Sequence, residues 1–160
     1  MKTTLWAEDD YLKLAPINDE LIKKAEEVLN VKLPESYINL LKEQNGGTLR
    51  LDAHPTSEPN SWADDHVNVS GLYGISFDEN ESSILESHYL IQEWDMPENI
   101  VLLSGDGHTW IALDYRNVAE NPPVIFIDNE FEEIIELAPN FESFLQNLTT
   151  YNYDEDEDEE

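Results

Sequence analysis

Four short runs rich in Ile, Val, Leu and Trp stand close together at residues 99–103, 109–114, 124–127 and 133–137. Turn chemistry separates them: Ser104, Gly105, Asp106, Gly107 and His108 join the first two, and Asn129 lies between the last two. Runs of this length and composition, punctuated this way, satisfy their backbone groups as strands joined by hairpins. Shorter strand candidates precede them at 48–51, 67–69 and 72–75. Helical periodicity appears before and after this block, with one helix expected inside it. Strands gathered in the middle with helices at both ends predict an α+β domain, not alternating βαβ units.

The helices carry their own boundary signals. Asn18 can cap a first helix whose first turn holds Asp19 and Glu20, and Leu21, Ile22, Ala25, Val28 and Leu29 recur on one face;. Pro34 suits the start of a second helix with Tyr37, Ile38, Leu40 and Leu41 inward, ended by Gly46 and Gly47;. Ser83 and Glu86 fit a capping box for a third, with Ile84, Leu85, His88, Ile91 and Trp94 as its face and Pro97 as its stop;. The last helix starts near Pro139 and places Phe141, Phe144, Leu145 and Leu148 on one side. Residues 1–16 read as an N-terminal arm, 17–149 as one domain and 150–160 as an acidic disordered tail.

Charge restricts function more than fold. The 160 residues hold 36 Asp and Glu against 8 Lys and Arg, a formal net charge of −28. Removing the seven acids of 154–160 leaves 29 against 8, still −21. Nucleic-acid backbones and anionic membranes require clustered Lys and Arg, so neither is expected as a partner. The absence of cysteine excludes disulfides, thiolate zinc sites and cysteine nucleophiles;. No apolar run reaches the ~18 residues of a membrane span, and the first ten residues lack a signal-peptide core, so a cytoplasmic location is expected.

The order of short motifs resembles that of the SUKH superfamily, which groups a yeast cell-wall-assembly regulator with many bacterial proteins. The run Leu33, Pro34, Glu35, Ser36, Tyr37, then Leu40 and Leu41, then Asn45, Gly46 and Gly47 corresponds to its first two helices. Gly74 and Ile75, Pro97 before Ile100 and Val101, and Gly105, Asp106 and Gly107 before a strand ending in Asp114 follow in the family's order. So do Pro123 and Val124 leading to Asp128, and Phe141 with Phe144 and Leu145, giving coverage of about residues 17–149. The resemblance implies an α+β fold, a single domain with a mixed, mostly antiparallel sheet flanked by N-terminal and C-terminal helices. It also implies that many bacterial members act as immunity proteins against secreted or contact-delivered toxins, often nucleases. It carries over no catalytic or binding residue.

Several constellations invite a chemical reading. Asp52, Ala53 and His54 with Asp64, Asp65 and His66 could bring two imidazoles and three carboxylates to one metal or one water;. No diagnostic spacing supports this, and an acid-rich chain places His beside Asp by chance. The segment Gly105, Asp106 and Gly107 lacks the helix N-terminus of a phosphate loop and reads as a β-turn. Ser104 has no GxSxG elbow, and His88 reads as a core or boundary histidine. No enzymatic turnover, metal or cofactor is expected. Residues 52–66 form a long loop with Pro55, Pro59 and Trp62; loops of this length are functional or disordered. Trp62 either anchors an interface or folds back as a lid over the sheet.

The function expected is therefore occlusion: an acidic, non-enzymatic immunity protein binding a basic toxin domain, with carboxylates presented where phosphates would lie. Asp52, Asp64 and Asp65 are expected to steer the encounter and Trp62 to anchor it, with Asp106 and His108 on the same face. A regulatory adaptor binding a cellular protein is the alternative, with a metal-binding or hydrolytic role third. Nothing in the sequence sets an oligomeric state.

Overall fold

A computed structural model of the chain describes residue 6 and residues 13–51, 53–56, 66–69, 71–78, 83–105, 109–128 and 133–149. The first helix, α1 (Asp19–Leu29), begins where Asn18 Oδ1 accepts the Leu21 N–H at 2.9 Å. It ends at Asn30, which takes the left-handed conformation (φ 58°). Ile22, Ala25 and Leu29 are buried. Val28 is 49% exposed, because it lies at the flank of that stripe and not within it;. Leu33 N donates to the Glu26 carboxylate at 2.8 Å, fixing the connection to α2 (Glu35–Glu43).

Pro34 caps α2 in an extended conformation, and Tyr37, Leu40 and Leu41 turn inward. The helix does not end on its glycines. Gln44, extended, closes it, and Gly46 (φ 86°) and Gly47 then turn the chain into β1 (Gly47–Thr48). Between them sits Asn45, 3% exposed. Its Nδ2 donates to Ile75 O (2.8 Å) and Ala15 O (2.7 Å), and its Oδ1 accepts from Ile75 N (2.8 Å). One amide side chain thus pairs with the Ile75 backbone as a strand neighbour would. Gly74 permits this approach, since a Cβ there would fall 2.2 Å from Asn45 Oδ1.

Two short ladders follow. β1 pairs with β4 (Gly71–Leu72), and β2 (Ala53–Pro55) pairs with β3 (His66–Asn68), both antiparallel. Strand β2 corrects the reading of 52–66 as one loop: both ends of that segment are ladder, and Pro55 ends its strand where a missing N–H costs little;. A 3-10 turn (Ile84–Glu86) then leads into α3 (Ser87–Glu93). Ser83 Oγ accepts from Leu85 N and Ser76 N, but the tighter 3-10 winding shifts the helical phase;. Ile84, Ser87 and Ile91 face inward, whereas His88 is exposed and Trp94 is 41% exposed, contrary to the expected face.

The principal sheet is an antiparallel meander in the order β5 (Ile100–Gly105), β6 (Thr109–Asp114), β7 (Val124–Asp128) and β8 (Glu133–Ala138). Every strand pairing among the described residues is antiparallel. On its inner face Val101, Leu103, Ile111, Leu113, Val124 and Phe126 join the main core with α1, α2 and α4 (Phe141–Gln146). Tyr37 meets Phe141 edge-on at 5.3 Å. On its outer face Ile100, Leu102, Trp110, Ala112, Ile125 and Ile127 form a second, smaller cluster covered by Leu90, Ile91 and Met96. Gly105 is obligatory there: the Trp110 ring lies across it, and a Cβ would fall 1.9 Å from Cε3. At the register shift in β5, Leu102 N donates to Ser87 Oγ at 2.9 Å, tying the cover to the sheet.

Candidate protein-binding surface

The charge is unevenly placed along the chain. Residues 1–50 carry nine carboxylates and seven cations, whereas residues 51–160 carry 27 carboxylates and one cation, Arg116. That cation is engaged: Arg116 Nε and Nη2 donate to Asp114 Oδ1 and Oδ2 at 2.8 and 3.0 Å, and its backbone N–H reaches Oδ1 at 3.0 Å. Burial alone would raise the Asp114 carboxyl, but these bonds and the guanidinium charge together hold it below its ordinary value. The outer face and edge of the sheet are built entirely from the acidic two-thirds.

The outer cover stops short of β8. Register alternation places Ile134 opposite Ile127, and Glu136 opposite Ile125, all on the outer face. Ile127 is buried by its neighbours, whereas Ile134 is 40% exposed and Glu136 is exposed. Between β8 and the end of α3 lies a groove of about 520 Å³ lined by Trp94, Asp95, Met96, Ile127, Glu133 and Ile134. The Trp94 ring tilts against Trp110 at 6.4 Å, and Trp110 Nε1 is buried without a hydrogen-bond partner. Asp95 and Met96 also border a second hollow of about 510 Å³ that reaches Glu98. No Lys or Arg lines either one. An apolar floor with an exposed indole, rimmed by Asp95, Asp128 and Glu133, suits contact with a basic, partly apolar protein surface;.

Asp52, Trp62, Asp64, Asp65, Asp106 and His108 all lie outside the described residues, as does the 150–160 tail. Of the arm, residue 6 and residues 13–16 are described, and Trp6 bridges Leu49. The flanks of the 57–65 segment are clear. His54 is 2% exposed and stacks on Phe144 at 5.1 Å and 8°. Its Nδ1–H donates to Pro55 O at 2.8 Å, and its Nε2 is buried without a partner. Burial pushes this imidazole below its ordinary value, and the bond to Pro55 offsets part of that. His54 thus belongs to the packing between β2 and α4. Among the described residues no group of three His, Cys, Asp or Glu side chains could hold a metal.

The groove went unread in the sequence because Trp94 and Ile134 both sit in runs whose periodicity suits burial. The available signal was the order Glu133, Ile134, Ile135, Glu136, which puts an isoleucine and a glutamate on one face of a strand, as an edge strand would;.

Among the described residues no helix is long and apolar enough to cross a membrane. No curated protein matches the chain. The family model described as SMI1 / KNR4 family (SUKH-1) matches residues 16–147. That span runs from Pro16, just ahead of α1, through the Asn45 clamp and the meander to α4, the parts the short motifs build. With most of its length matched and those motifs placed at the joints of the fold, the chain belongs to the SMI1 / KNR4 family (SUKH-1).

Proposed function

We propose that this chain is a non-enzymatic immunity protein that binds and occludes a basic toxin domain, a nuclease by class, in the cytoplasm. The observation that carries the reading is the acidic two-thirds, whose single cation is already paired with Asp114. A nuclease holds phosphates with Lys and Arg, so an inhibitor that offers carboxylates to those groups competes with substrate without performing chemistry. Membership of a family whose bacterial relatives include immunity proteins supports the same reading, as does the indole-bearing acidic groove.

The test starts with a pull-down from the native host, followed by surface-plasmon kinetics against the toxin domain it recovers. Changing Asp52, Asp64 and Asp65 together to Asn is expected to slow association, with the defect shrinking as salt rises. Trp62→Ala is expected to speed dissociation, weakening binding by about 2 kcal/mol or more. Recovery of a neutral or acidic cellular protein instead would replace the immunity reading with that of a regulatory adaptor.

A further inference from the structure

The sheet has two long edges, and they are treated differently. On the β5 side, Tyr73 N donates to Leu103 O at 2.7 Å, so the chain following β4 covers part of that edge. The β2 edge of the smaller ladder is engaged too, by the reciprocal pair between Ala53 and Thr149. Strand β8 has β7 on one side. Among the described residues no backbone hydrogen bond joins β8 to anything else. Six residues whose outer edge meets no strand among the described residues form a template for a further strand unless something discourages pairing;. Here the discouragement is selective. Glu133 and Glu136 would face like charges if two copies paired edge to edge, and each copy carries −28;. The same carboxylates attract a strand bearing Lys or Arg.

We infer that the open edge of β8 takes up an extended basic segment of the partner protein as a fifth strand. Strands lie about 4.8 Å apart, so alternate side chains of the incoming segment stand on the outer face beside Ile134 and Glu136. A cation meets Glu136, and an apolar neighbour two residues along covers Ile134 and enters the groove toward Trp94. Main-chain bonds supply affinity and the alternation of charge and apolar side chain supplies selectivity. This rests on the reading of the partner as basic and adds where and how it docks.

The probe is an acetylated, amidated nine-residue peptide of lysine pairs alternating with valine pairs, so that each face of the strand alternates cation and apolar side chain; it is titrated at low salt into the full chain and followed by amide NMR shifts. One-to-one binding is expected, with the largest shifts at residues 133–138. Glu136→Lys is expected to weaken it by about ten-fold or more, against less than about three-fold for Glu27→Lys, an equal charge change on exposed α1. N-methylating the peptide nitrogens on both edges of the probe, which keeps the charge but removes the edge donors whichever way the strand turns, is expected to weaken binding to the unaltered protein by about ten-fold or more. Absence of binding, equal effects of the two charge reversals, or unchanged affinity of the methylated peptide would each overturn the inference. Its failure alongside tight, salt-dependent toxin binding removes strand addition and leaves the immunity reading. Strand addition with no basic partner recovered from the host does the reverse.

Discussion

Replacing Asn45 by Asp changes one NH2 for one oxygen and tests the clamp at the centre of the fold. Asn45 Oδ1 accepts from Ile75 N, and a carboxylate can do the same. The other side-chain atom now donates to two carbonyl oxygens, of Ile75 and Ala15, at 2.8 and 2.7 Å. A carboxylate oxygen there would face two acceptors in a site only 3% exposed. The substituted carboxyl must stay protonated in the folded protein, so its folded pKa lies above the unfolded value near 3.9. The sign follows: the variant's deficit is smallest below about pH 4 and grows as pH rises, by about 1.4 kcal/mol per unit while the folded carboxyl stays protonated. Three units give about 4 kcal/mol at pH 7, a large share of the ~5–15 kcal/mol that holds a domain together. Even when protonated it has one O–H where the amide had two N–H groups, so about 1–3 kcal/mol persists at the acid end. Urea unfolding of wild type and Asn45→Asp across pH 4.5–7.5 at fixed ionic strength measures the difference directly. A gap that stays flat, or narrows as pH rises, would refute the donor assignment.

His54→Phe should keep the stack on Phe144 while removing the unpartnered Nε2. The wild-type imidazole is lowered by burial, so its contribution is complete above the unfolded value near 6.5 and is lost as pH falls toward the folded one. Thermal melts from pH 5 to 7.5 should show the variant gaining on wild type as pH falls; a constant gap contradicts this. Gly105→Ala forces a Cβ into the Trp110 ring and should cost about 1–3 kcal/mol, lowering the melting temperature by several degrees with altered tryptophan emission;. An unchanged melting temperature would mean that the ring has room to move. Truncation after Tyr153 removes seven carboxylates and should leave the melting temperature unchanged or slightly raised, more visibly at low salt;. A fall of many degrees would show that those residues dock on the domain.

Much of the fold was legible because its signals are local. Asn18, Ser83 and Asn140 accept from backbone N–H groups two or three residues on, and such caps announce themselves in sequence. β6 matches its expected span because turn chemistry precedes it and hydrophobic residues fill it. The departures come from tertiary context. Strand β2 is three residues long, contains a proline and exists through its pairing with β3. An unbroken α-helical period puts His88 and Trp94 inward, but the preceding 3-10 turn interrupts that period. Asn45 reads as part of a helix stop, yet its role depends on Ile75, thirty residues away. The groove beside β8 depends on where the cover ends, which composition does not encode.

That cover also sets an order of motion. Helix α3 has seven residues, too few to hold a helix alone, and it buries only Ser87 and Ile91;. Its attachment is the Ser87 bond to Leu102 and a few apolar contacts, whereas β6 and β7 are flanked by strands on both sides. The segment from α3 through Met96 can therefore lift while the main core stays intact, a sub-global opening at a fraction of the unfolding free energy. Amides of α3 are expected to exchange with solvent sooner than those of β6 and β7, as native-state hydrogen exchange would read. Each such excursion bares Leu102 and Trp110 and lengthens the apolar floor beside β8, so a segment arriving at that edge meets a wall that yields before the sheet does.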